Sequence, residues 1–232
     1  LRIFDNPFLS VLLELVGLPH VLPISFQNHK TNIAMVISGE FPTNSRIIDK
    51  IRSAEKVIAV DGATNTLIDQ GIIPSIAIGD FDSIRQSYKD KVSEIVHTED
   101  QNKTDLEKAL DWCIDNNYLS LSIFGFPGKS EDHFLGNFFA INDYYDAIEF
   151  KIYTDYSTIT PCIGKTVFDS FKGETVSIVS FEMNNKVTST NLEYPLDSYK
   201  LSPSTRAIRN QSLGGSFTIE SSEKLMVFQI RD

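Results

Sequence analysis

The sequence predicts an α/β protein in which a mostly parallel sheet with helices on both faces is followed by a small all-β unit. Three observations carry this. Between Ile33 and Tyr153 short apolar runs alternate with amphipathic stretches, the pattern of strands joined by crossover helices. After about Thr154 helical periodicity stops, and runs rich in Thr, Ser and Val alternate with turn residues, as in antiparallel sheet. The chain has 232 residues, enough for one large or two small domains with a substantial core. The expected boundaries are 31–154 and 155–232, preceded by an extension, residues 1–30, of unknown role.

Each element follows from local pattern. Ile33 to Ser38 reads as an apolar strand ending at Gly39. Asn44 then caps a helix whose Ile47, Ile48 and Ile51 share one face. Lys56 to Val60 is a second strand, followed by Asp61-Gly62 and a helix from Thr64 to Gln70 that stops at Gly71. Ser75 to Ile78 is a third strand, ending in Gly79-Asp80. Thr104 and Glu107 form a capping box for a helix with Leu106, Ala109, Leu110 and Cys113 on its core face. Leu119 to Phe124 and Ile148 to Tyr153 are further strands, separated by a helical stretch rich in Phe and Tyr. The all-β unit contains Lys165 to Phe171, Thr175 to Phe181, Lys186 to Leu192, Ser216 to Ser221 and Lys224 to Ile230.

Composition narrows the partners. A formal charge of −10 repels a phosphate backbone, which argues against nucleic acid. A small phosphate ligand remains open, because a divalent cation bridges carboxylates to phosphates. Cys113 and Cys162 have no CxxC partner, so neither a disulfide framework nor a zinc ribbon is available, and a reducing, cytoplasmic setting is expected. The apolar stretch Phe8 to Ile24 is interrupted by Glu14, Gly17, Pro19, His20 and Pro23, too broken to span a bilayer, so no membrane association is expected. It also lacks the small-residue cleavage site of a secretory signal.

Chemistry concentrates where strands end, and in open parallel sheets ligands sit beyond the carboxyl ends of the strands. Asp61 follows the second strand, Asp80-Phe81-Asp82-Ser83 follows the third, and Asp105 opens the capped helix after Gln101-Asn102-Lys103-Thr104. Asp80 and Asp82, two apart, point to one side of an extended segment. Two or three carboxylates with waters suit Mg²⁺ that also holds substrate phosphates. The helix start at Thr104 is in addition an anion site, beside which Lys103 can pair with a phosphate. Gly128-Lys129-Ser130 imitates the end of a P-loop, but position 123 is Ile where that motif requires Gly, and Pro127 removes an N–H.

Taken in order, Asp61-Gly62-Ala63-Thr64-Asn65, Gly79-Asp80-Phe81-Asp82-Ser83, Gln101-Asn102-Lys103-Thr104-Asp105 and Gly125 through Asp132-His133 with Asn137 resemble the thiamin pyrophosphokinase family. The likeness covers about residues 33–232 and is most specific between 60 and 137. It implies a Rossmann-like nucleotide-binding catalytic domain, 31–154, followed by a β-sandwich that binds thiamin, 155–232. It also implies a homodimer with thiamin at the interface, and transfer of the β,γ-diphosphate of ATP to the thiamin hydroxyl with release of AMP. By the same resemblance Asp80, Asp82 and Asp105, with Asp61 nearby, hold Mg²⁺, and Gln101, Lys103 and Thr104 contact the triphosphate. Asn65, Lys129 and His133 fall on the nucleotide side, Asp132 faces thiamin as a catalytic residue, and Tyr194 and Asn210 belong to the thiamin side. The chain departs from the family pattern at Ser130, where an Arg is usual, and at Arg209-Asn210-Gln211, where Ser-Asn-Glu is usual. Two alternatives stand beside this reading. One is a non-catalytic thiamin or nucleotide binder; the other is a nucleotide-sugar transferase built on the acid-x-acid pair Asp80 and Asp82.

Overall fold

The computed structural model describes residues 32–98, 100 and 102–231, so the expectations for residues 1–30 and for Gln101 lie outside the described residues. The first half alternates strand and helix: β1 (Ile33–Val36), α1 (Ser45–Arg52), β2 (Lys56–Val60), α2 (Ala63–Asp69), β3 (Ile76–Gly79), α3 (Gln86–Lys89), β4 (Glu94–His97), α4 (Asp105–Asp115), β5 (Ser120–Phe124), α5 (Glu131–Asp143) and β6 (Glu149–Tyr153). The second half is all strand: β7 (Ser157–Ser170), β8 (Thr175–Ser180), β9 (Asn185–Thr190), β10 (Tyr199–Leu201), β11 (Asn210–Gln211) and β12 (Gly215–Ile230).

Strands β4, β3, β2, β1, β5 and β6 lie side by side in that order, and every pairing among them is parallel. The chain proceeds from β1 toward β4 and then returns to the other side of β1 as β5, so the winding reverses between β1 and β5. Such a reversal opens a crevice at the carboxyl ends of the two strands. From β7 onward the neighbours are antiparallel, and the sheet continues without interruption through β7, β12, β9 and β10. The result is a mixed α/β fold: a large, mostly parallel sheet followed by C-terminal strands.

Side-chain alternation explains the layers. Along β1, Ile33 and Met35 enter one buried cluster with Leu106, Leu110 and Cys113 of α4 and Phe138 and Ile141 of α5. Ala34 and Val36 point the other way and pack with Ile47 and Ile51 of α1 and Leu67 of α2. Both faces of β1 are therefore dry, as a helix-covered parallel strand requires. A further cluster, centred on Phe168, Val176, Ile178, Phe217 and Ile219, closes the C-terminal strands, with Phe168 and Phe217 stacked at 5.0 Å between ring centroids.

The caps read from sequence are present. Asn44 accepts the Arg46 N–H, and Thr104 and Glu107 make the reciprocal capping box of α4. Other boundaries shift. The runs at Ser216 and Lys224 are one strand, β12, with a register irregularity between Ser221 and Leu225. Strand β7 begins at Ser157, well before Lys165, because its first half pairs with β12 and with β6. Strand β4 escaped the sequence reading because its residues are mostly exposed at the sheet edge and leave no apolar run. Both thiols are buried and unpaired, and burial pushes Cys113 up to about 12, so it is inert at neutral pH. Among the described residues no helix is long and apolar enough to cross a membrane.

Candidate active site

The crevice between β1 and β5 opens into a cavity of about 660 Å³. Four segments build it: Ile37-Ser38-Gly39 after β1, Val60-Asp61 after β2, Thr104-Asp105-Leu106 at the start of α4, and Gly128 to Asn137 leading into α5. Two helix N-termini therefore face the same space, a favourable environment for anions.

The acidic residues follow from strand order. Strands β2 and β3 are parallel neighbours, and each carries its acids just past its carboxyl end. Asp61, Asp80 and Asp82 consequently come together, each offering an oxygen within 4.8 Å of the others. Repulsion from the Asp80 carboxylate raises the Asp82 carboxyl above its usual range, and Asp61 adds to it. Three mutually repelling carboxylates at one strand-end corner are a donor set suited to a hard divalent cation with oxygen ligands. Asp105 lines the cavity, as Asp61 does, but is not in the three-carboxylate cluster, and the buried ammonium of Lys108 pairs with its Oδ1 at 3.1 Å.

The start of α5 is held by aromatic packing. Phe126 meets Phe138 edge-on at 4.8 Å and Phe134 at 6.4 Å, while Asn137 donates to the Phe126 carbonyl. This arrangement turns Lys129, Ser130, Asp132 and His133 toward the cavity. The Ser130 hydroxyl donates to Asp132 Oδ1 at 2.5 Å and the His133 N–H donates to the same oxygen at 2.9 Å. These two bonds hold the Asp132 carboxyl below the usual range, so it is a carboxylate at neutral pH.

The remaining expected residues divide between the cavity and partners elsewhere in the fold. The Lys103 ammonium pairs with Asp111 on α4, which raises its pKa, and Lys103 is not among the residues lining the cavity. Asn65 was expected on the nucleotide side, yet its Nδ2 donates to the Ser83 carbonyl and its Oδ1 accepts the Arg85 N–H. Asn210 is buried, and its amide accepts the Tyr194 and Gln211 N–H groups while donating to the Tyr194 carbonyl. Tyr194 itself is exposed on the C-terminal strands, and neither residue lines the cavity. Thr104 reaches the cavity as the cap of α4.

Ser38 escaped sequence reasoning. Its hydroxyl donates to the Val60 carbonyl at 2.8 Å and accepts the Ala63 N–H at 3.2 Å, joining the ends of β1 and β2 and capping α2, whose own cap position is Gly62. The available signal was its position: a hydroxyl at a strand end beside the winding reversal.

Comparison with known proteins bears on the same residues. The family model for the thiamin pyrophosphokinase catalytic domain matches residues 48–153, and that for the thiamin pyrophosphokinase substrate-binding domain matches 158–228. The thiamine pyrophosphokinase of Bacillus subtilis is 31% identical over 183 residues, covering 73% of this chain and 84% of that protein. The crystal structure of the Bacillus subtilis thiamine pyrophosphokinase superposes with a TM-score of 0.73 at 26% identity, covering 87% of this chain and 99% of the other. That from Geobacillus thermodenitrificans gives 0.71 at 27% identity, covering 86% and 97%.

Proposed function

This chain belongs to the thiamin pyrophosphokinase family, whose enzymes transfer pyrophosphate from ATP to thiamin, and on that premise we propose how its own residues perform the transfer. The observation that carries the proposal is the corner formed by Asp61, Asp80 and Asp82, of which Asp61 lines a cavity faced by two helix N-termini. Asp61, Asp80 and Asp82, with Asp105, which also lines the cavity, would hold Mg²⁺ together with the phosphates of ATP. Bound there, Mg²⁺ neutralises phosphate charge and helps hold the triphosphate in line for attack.

The backbone N–H groups at the starts of α4 and α5 bind phosphate oxygens, with Thr104, Lys129 and His133 beside them. Gln101 and Lys103 are proposed to act on the same side. For Lys103 this requires exchanging Asp111 for a phosphate. Asn65 contributes through the loop it fastens rather than by direct contact. Asp132 is proposed to face thiamin, where its carboxylate accepts a hydrogen bond and orients the hydroxyl. The thiamin hydroxyl oxygen forms a bond to the β-phosphorus and gives up its proton to water, the bond from that phosphorus to the α,β-bridging oxygen breaks, and AMP leaves. In phosphoryl-type transfer alignment and charge neutralisation supply most of the acceleration, so no strong general base is needed.

We further read 31–154 as a Rossmann-like catalytic domain and 155–232 as a thiamin-binding β-sandwich, working as a cytoplasmic homodimer. Exposed Phe134, Leu135 and Phe139, which follow the cavity-lining start of α5, support a second copy covering this face. In that arrangement Tyr194 and Asn210 serve the thiamin side, Asn210 by fixing the backbone of Tyr194.

The test is chromatography of protein, ATP, Mg²⁺ and thiamin incubated together. AMP appearing in step with thiamin diphosphate supports the assignment and shows that Ser130 is tolerated. Appearance of ADP overturns the reaction class. Intact ATP despite ligand binding makes the chain a non-catalytic relative.

A further inference from the structure

We propose that Ser83 is a positioning residue that keeps Asp61 turned into the acidic corner, an inference that rests on the cation-binding reading above. Asp61 is constrained on every side the fold can reach. Its φ is 46°, in the left-handed region that a residue with a side chain enters only when its surroundings impose it. Its N–H donates to the Ile78 carbonyl at 2.7 Å, fastening it to β3. Gly79 leaves the room it occupies: a Cβ there would lie 3.1 Å from both Cα and Cβ of Asp61. These contacts set the backbone of Asp61, while the direction of its carboxylate is left to Ser83.

The Ser83 hydroxyl lies 3.0 Å from Oδ1 and 2.9 Å from Oδ2 of Asp61. It has one proton, so it donates to one oxygen at a time and leaves the other available. With Asp80 and Asp82 close by, an unrestrained Asp61 carboxylate would rotate away from them by charge repulsion. The hydroxyl opposes that rotation without adding a positive charge that would compete with a cation. Ser83 is itself secured, because Asn65 of α2 holds the Ser83 carbonyl and the Arg85 N–H, and Arg85 is paired with Asp69 on the same helix. Orientation thus passes from α2 to the loop, from the loop to Ser83, and from Ser83 to Asp61.

The test uses Mn²⁺ alone as probe, its binding to the full chain read by electron paramagnetic resonance without nucleotide or thiamin. Ser83→Ala is expected to weaken Mn²⁺ binding roughly tenfold, and Ser83→Thr to restore it to within about twofold of wild type. At saturating Mg²⁺ the Ser83→Ala turnover number should stay close to wild type while the Mg²⁺ requirement rises. If Asp61→Asn weakens Mn²⁺ binding and Ser83→Ala does not, the positioning role is wrong while the cation site stands. If Ser83→Thr binds as weakly as Ser83→Ala, the hydroxyl is not what matters and the proposal fails. If neither Asp61→Asn nor Ser83→Ala changes Mn²⁺ binding, the cation-binding reading itself falls.

Discussion

Replacing Gly39 with alanine tests whether the cavity depends on the close meeting of the ends of β1 and β5. A Cβ at position 39 would lie 2.1 Å from the Gly125 carbonyl oxygen and 2.1 Å from that of Pro127, both backbone atoms that cannot rotate aside. The two strand ends would have to separate, endangering the bonds from the Ile37 N–H to the Phe124 carbonyl and from the Glu40 N–H to the Pro127 carbonyl. Overpacking of this kind costs about 1–3 kcal/mol and each backbone hydrogen bond contributes about 1 kcal/mol, so a loss of about 3 kcal/mol is expected. For a chain of this size that lowers the melting temperature by roughly 6–12 °C. The control is Gly136→Ala, also at the cavity but inside α5 with nothing within 4 Å of the added methyl, where a gain of up to about 1 kcal/mol is expected. Chemical denaturation followed by circular dichroism measures both. A Gly39→Ala protein within about 1 kcal/mol of wild type would refute the geometry of this junction.

The remaining outcomes are equally direct. Asp80→Asn should cut diphosphate transfer by at least roughly a hundredfold in a coupled AMP assay, with the melting temperature unchanged or slightly raised because charge repulsion at the corner is relieved. Ser130→Arg, supplying the guanidinium usual in the family, should raise kcat/KM roughly tenfold; an unchanged rate would mean that Lys129 or another group already fills that role. Asp155 accepts hydrogen bonds from the Thr43 N–H and hydroxyl and from the Asn44 N–H. Burial pushes its carboxyl up, but these bonds outweigh it and leave the pKa lowered. A lowered carboxyl adds stability above its unfolded pKa, and that stability is lost as pH falls through the folded value. Asp155→Asn should therefore cost about 1 kcal/mol at neutral pH, after allowance for solvent screening, and reduce the loss of stability below about pH 4. Equal acid sensitivity in the two proteins would exclude this role.

Much of the fold was legible because local pattern reports local burial. The Asn44 cap, the Thr104–Glu107 capping box and the apolar run of β1 each depend on residues close in sequence, and the structure contains all of them. The exposed edge strand β4 and the first half of β7 were not legible, because strand pairing there is decided by distant partners rather than by an apolar run. The family was legible from the order of its motifs, and the comparisons show it.

What the residues at those motifs touch was a matter for the tertiary structure. The family resemblance grouped Asp80, Asp82 and Asp105 with Asp61 nearby; the fold brings Asp61, Asp80 and Asp82 into one corner because β2 and β3 are parallel neighbours ending side by side, and leaves Asp105 outside that cluster, paired with Lys108. Lys103 pairs with Asp111, Asn65 fastens the Ser83–Arg85 loop, and Asn210 ties the backbone of Tyr194. Ser38 joins two strand ends that lie 22 residues apart in the chain. The physical reason is the range of the interactions. Periodicity and capping act over a few residues and can be read along the chain. The partner of a given carboxylate, amide or hydroxyl is set at about 3 Å by whichever distant segment the packed fold brings alongside it.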